Sequence, residues 1–157
     1  MDETNEVLSF TDKILLLELY LKHHLQDKVI PDATLYEIAP ILKRRMKHLQ
    51  GVAEILKTQD APNYLVDAGL FHSMYNGEHN RPGGDVFTRK KLKEIVGERA
   101  EEIVYQFAMI PYDRTKNIKE WQCRPRGPHP PWMPESERTS DLRWLDIANS
   151  MEMKGLK

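Results

Sequence analysis

The spacing of the apolar residues constrains this chain more than any other feature. They recur at three- and four-residue steps and show no alternating strand pattern. Phe10, Ile14, Leu17 and Leu21 follow that step behind Ser9, which forms a capping-box pattern with Asp12, and predict a helix over 8–27. Leu15, Leu16, Leu19 and Tyr20 spread its apolar surface to most sides. Such a helix is either central to a core or covered by a partner chain, and a homodimer through residues 8–27 is the expectation. Asp32 is expected to cap a short helix through Ile38. Pro40 is expected to open another over 40–57, because a first-turn proline lacks only an N–H that has no partner there. Asp60 is read as the cap of a fourth helix that begins near Pro62 and stops at Gly77.

Arg81-Pro82-Gly83-Gly84 marks a loop, after which Thr88 caps a helix through Val96, and Gly97 separates that helix from one over 98–110. Residues 111–137 hold six of the ten prolines, together with Trp121 and Trp132, and predict an irregular lid or docking segment. Thr139 or Ser140 then caps a final helix through Lys154. The expected architecture is all-α: one domain over 1–157, a bundle of six or seven helices with a Pro/Trp-rich insertion before the last.

A chain of 157 residues buries roughly 70% of its unfolded surface on folding and needs no disulfide or metal to do so. Lys and Arg number 23 against 24 Asp and Glu, which leaves no basic stripe for nucleic acid. One cysteine, Cys123, excludes an internal disulfide and a Cys-based zinc site. No apolar run approaches the ~20 residues of a membrane span, and the acid-rich start resembles no secretory signal. A cytoplasmic location and a small-molecule partner are expected.

Two histidines anchor the candidate site. His48 in Lys47-His48-Leu49 and His72 in Leu70-Phe71-His72 lie in apolar surroundings, so both rings are expected to point inward. An inward imidazole needs partners, since leaving a buried polar group unpaired costs about 1–3 kcal/mol. Asp146, an acid within the apolar stripe of the last helix, makes the same demand. His48, His72 and Asp146 together would serve as ligands for Mn, Fe or Zn, or as a buried hydrogen-bonded triad. Ser73 and Tyr75 place hydroxyls beside the imidazoles as candidate catalytic groups. Arg44, one helical turn before His48, is the basic residue best placed for substrate, and Glu78, Trp121 and Trp132 are further substrate-binding candidates. His23-His24 reads as structural, Cys123 lacks a paired histidine, and Gly83-Gly84 lacks the surroundings of a phosphate loop.

His48 followed by Val52-Ala53-Glu54-Ile55-Leu56, then His72 closing Ala68-Gly69-Leu70-Phe71-His72, resembles the HD superfamily of histidine–aspartate hydrolases, most closely its guanosine-tetraphosphate hydrolase branch. Gly97-Glu98-Arg99-Ala100-Glu101-Glu102-Ile103-Val104 and Leu145-Asp146 are similar to its later motifs. More narrowly, His72-Ser73-Met74-Tyr75-Asn76-Gly77 resembles an uncharacterised HD-like family with His-Ser in place of His-Asp. The resemblance implies a helical metallohydrolase with His48, His72 and Asp146 as ligands. It also implies an incomplete site: Ser73 stands at the metal-binding Asp, and Asn76 and Gly77 stand at the Glu-Asp pair that assists water attack. Three functions follow as expectations: metal-assisted hydrolysis of a phosphorylated or nucleotide-like substrate; metal-free acid–base catalysis by His48, His72 and Tyr75 on a small organic substrate; or a non-catalytic interaction protein.

Overall fold

The computed structural model describes residues 8–76, 83–110 and 135–155, with side chains in the last stretch from Ser140 onward. Six α-helices and one π-helical turn make up the regular structure of these residues, an all-α bundle with no strand among them. They are α1 (Phe10–His24), continuing into the π turn Leu25–Val29, then α2 (Leu35–Thr58), α3 (Asn63–Leu70), α4 (Arg89–Val96), α5 (Glu98–Ala108) and α6 (Glu135–Met153). None of the described helices is long and apolar enough to cross a membrane.

Ser9 starts α1 as expected, its Oγ accepting from the Asp12 N–H at 3.0 Å. One stripe of the helix, Leu17, Leu21 and then Leu25, is fully buried, while Leu15 and Leu19 remain 59% and 48% exposed. The helix therefore lies at the edge of the core. The two helices expected over 32–38 and 40–57 are one. Thr34, rather than Asp32, is the cap: its Oγ1 accepts from the Glu37 N–H at 3.2 Å, and Glu37 Oε1 accepts from the Thr34 N–H at 2.9 Å. That reciprocal pair sets the start at Leu35, so Pro40 falls in the second turn, where it removes a single bond and the helix runs through.

Asp60 does not cap α3. It takes a left-handed conformation (φ +58°) that ends α2, with the Ala61 N–H donating back to Leu56 O at 3.0 Å, and Pro62 precedes α3. The third helix is also shorter than expected and stops at Leu70. The Val86 N–H donates to Met74 O at 2.8 Å, so the chain beyond the helix pairs with the segment leading into α4 instead of continuing helically. His72 to Tyr75 thus lie on a turn. Thr88 caps α4 and Gly97 (φ +89°) separates it from α5, both as expected. The last helix begins at Glu135, so Thr139 and Ser140 lie inside it.

α2 is the central element and packs most extensively on α3 and α6. Close approach is possible because Gly69 has no side chain: a Cβ there would lie 2.6 Å from Leu56 Cδ1. α5 also packs on α3, and Phe71, Phe107 and Leu56 are fully buried in the shared core. This packing carries the middle of α2, the turn after α3 and the end of α6 to one place.

Candidate functional site around His48 and His72

His48 and His72 meet as expected, their rings edge to face with centroids 5.2 Å apart and an interplanar angle of 72°. His72 is buried, its ring also edge-on to Phe107 at 5.8 Å. Its Nδ1 lies 2.8 Å from Gly69 O. A carbonyl can only accept, so Nδ1 carries a proton and donates it to Gly69 O. The short turn after α3 sets this contact, which a longer α3 would have spent on the backbone ladder.

His48 is partly open, its side chain 28% exposed, and its Nδ1 lies 2.6 Å from Glu152 Oε1 at the end of α6. The carboxylate orients the ring, with Nδ1–H donating to it. Glu152 reaches His48 across Gly51, one helical turn further along α2. A Cβ on Gly51 would lie 2.7 Å from Glu152 Cγ and 2.8 Å from its Oε2. Gly51 is thus a slot for the carboxylate arm. Sequence reading singled out neither residue, and the signal for Glu152 is faint: it stands two three-residue steps beyond Asp146 on the same helix.

Asp146 is buried on α6, as expected of an acid in an apolar stripe. Asn149, between Asp146 and Glu152 by helical step, is 7% exposed, and its Oδ1 is enclosed without a hydrogen-bond partner among the described residues. Yet among those residues no three His, Cys, Asp or Glu side chains are grouped so as to hold one metal ion. Glu152 is the carboxylate hydrogen-bonded to His48.

Ser73 is half-buried beside His72. Tyr75, expected to do acid–base work with the histidines, is engaged elsewhere. Its hydroxyl donates to Glu101 Oε2 at 2.7 Å, and Glu101 is fully buried. Arg89 grips both oxygens of that carboxylate, at 2.7 and 2.9 Å, and donates to Glu102 Oε1 at 2.8 Å, while its guanidinium stacks 3.7 Å over the Tyr105 ring. Burial, followed by the Glu101 carboxylate, pushes the Tyr75 phenol well above its ordinary range. Burial alone would lower Arg89, but hydrogen bonds and charge from Glu101 and Glu102 hold it above its ordinary value. The arrangement pins the turn after α3 to α4 and α5 and leaves Tyr75 a fixed proton donor.

Arg44 is exposed on α2, one turn before His48. Of the expected His23-His24 pair, His23 is exposed and His24 is buried. Burial lowers the His24 pKa from its usual 6.5, with Arg45 and Lys28 adding to the effect and Asp85 opposing it. Glu78, Trp121, Cys123 and Trp132 lie outside the described residues.

No curated protein and no solved structure gives a significant match to the chain. Residues 37–112, the stretch that carries His48, Gly51, His72, Tyr75, Arg89 and Glu101, match a family model described as a domain of unknown function (DUF6817), and this part of the chain is similar to that family.

Proposed function

We propose that this chain is a small-molecule enzyme on an HD-like helical scaffold, in which His48 and His72 perform general acid–base catalysis on a compact organic substrate. The observation that carries this reading is the pairing of the two rings, with centroids 5.2 Å apart and each Nδ1–H held by an acceptor, Glu152 for His48 and Gly69 O for His72. His48 is the base. It is the more open of the two, and the Glu152 carboxylate at 2.6 Å fixes its ring. His72, with a neutral carbonyl on Nδ1, is the partner that orients the substrate. Tyr75 acts indirectly, by fixing the turn that carries His72.

Metal-assisted hydrolysis of a phosphorylated or nucleotide-like substrate is the second reading. Metal-binding histidines commonly donate their other ring N–H to a carboxylate or a carbonyl, as these two do. Among the described residues no three His, Cys, Asp or Glu side chains are grouped to hold one metal ion, and no catalytic step is assigned to one.

Turnover of a metabolite mixture, followed by mass spectrometry in excess chelator, separates the readings. Acid–base catalysis predicts turnover that survives chelation and falls at least about 100-fold in His48→Gln. Stoichiometric metal in chelator-free protein, with activity lost on chelation, would sink it in favour of the hydrolase.

A second copy of this chain is the partner we propose for the outer face of α1. Leu15, Leu19 and Leu35 (54% exposed) border a groove of about 500 Å³ that also includes Glu18 and Lys22. In a two-fold antiparallel pairing, Glu18 of each copy comes within about a turn of Lys22 of the other, so the face is complementary to itself. Light scattering should find a dimer that Leu19→Glu dissociates. Glu18→Lys should weaken it and Glu18→Lys with Lys22→Glu restore it; a monomeric wild type refutes the pairing.

A further inference from the structure

A cleft of about 610 Å³ opens between the start of α1, the end of α2, α3 and the α4–α5 junction. That volume falls within the ~300–1,000 Å³ typical of small-molecule sites. Neither His48 nor His72 lines it. Its walls carry two cations, Lys13 and Lys57, and two carboxylates, Asp67 and Glu94, beside an apolar surface of Phe10, Val66 and Ile95.

Lys13 and Asp67 form an ion pair at 2.7 Å, with each side chain only 10% exposed. Desolvating two charges offsets most of their attraction, so such a pair is a weak device for stability alone. Burial holds the Asp67 carboxyl above its usual range even with Lys13 beside it. Its charged form would therefore gain from a second cation. Lys57 is exposed, its Nζ 5.2 Å from the centre of the Phe10 ring, and Glu94 pairs with Lys91 at 3.7 Å.

We propose that this cleft binds a zwitterionic α-amino acid with an apolar side chain. The ligand's carboxylate takes Lys13 and Lys57, its ammonium takes Asp67, and its side chain lies against Phe10, Val66 and Ile95. A ligand with one charge is disfavoured whatever its sign: an anion meets Asp67 and Glu94, and a cation meets the two lysines. A ligand bearing both charges satisfies each wall.

Calorimetric titration of the full chain with L-phenylalanine tests this, with L-phenylalaninamide (no carboxylate) and 3-phenylpropanoate (no ammonium) as comparators. Phenylalanine binds, and each comparator binds at least about tenfold more weakly. Lys57→Met, a change at an exposed position that leaves the core intact, and Asp67→Asn each weaken phenylalanine by a similar factor. No heat at millimolar phenylalanine, a comparator that binds equally well, or unchanged affinity in Lys57→Met overturns the assignment. His48→Gln leaves binding unchanged, so this site stands or falls apart from the imidazole pair; loss of binding in that variant also overturns it.

Discussion

Gly51 shows how one missing side chain can serve a site. Gly51→Ala should gain up to about 1 kcal/mol of helix propensity in the middle of α2. The new methyl would displace Glu152 at its Cγ, and the charge-assisted bond to His48 lost with it is worth roughly 1.5–3 kcal/mol. In Gly51→Ala the two effects partly offset, for a net loss of no more than about 2 kcal/mol, whereas Glu152→Gln carries the loss of the bond alone, up to about 3 kcal/mol. Nitrogen NMR of the His48 ring should nevertheless show the same loss of a fixed Nδ1–H in both. A ring unchanged in Gly51→Ala would mean that Glu152 finds another path. His24 gives a pH signature at the same scale. Its folded pKa lies below 6.5, so the folded state prefers the neutral ring, and its contribution is complete above pH 6.5. Stability should fall as pH drops from 6.5 through the lowered folded value, and His24→Gln should flatten that part of the profile. Denaturant melts across the range check it.

Among the elements, α2 depends on its cap and the turn after α3 depends on Glu101. Thr34→Ala removes the acceptor for the Glu37 N–H and should cost about 1 kcal/mol, measured by denaturant unfolding. A larger loss would mean that the start of α2 is coupled to the core more tightly than its exposed first turn suggests. Glu101→Gln leaves Arg89 and the Tyr75 hydroxyl facing a neutral amide inside the bundle. Breaking a buried pair costs about 3–5 kcal/mol, and the lower end applies here because Arg89 is 40% exposed and keeps Glu102. If that variant unfolds with wild-type stability, the Tyr75–Glu101–Arg89 contact is not what holds the turn. Several element boundaries were legible from local chemistry. Ser9 and Thr88 cap where their spacing places them, and Gly97 breaks where only a positive φ fits. Others were not. Asp60 looks like a cap because it precedes Pro62, but its left-handed backbone closes the helix before it. The end of α3 depends on a backbone bond from Val86 to Met74, which no local pattern announces.

At the scale of the whole molecule, the described helices share one connected core running from Leu17 on α1 to Ala148 on α6. Unfolding followed by circular dichroism and by tryptophan fluorescence should therefore give one coincident transition. Two separated transitions would mean that α6 docks independently. From the sequence alone came the all-helical class, the apolar faces and the expectation that His48 and His72 turn inward, because each depends on period and immediate surroundings. The carboxylate that holds His48 lies 104 residues away in a polar helix end, and the hydroxyl expected to join the histidines is drawn away to Glu101. Those outcomes belong to the tertiary structure. Which side chains touch across helices depends on how the helices are rotated and spaced, and that is decided by close packing at positions such as Gly51 and Gly69.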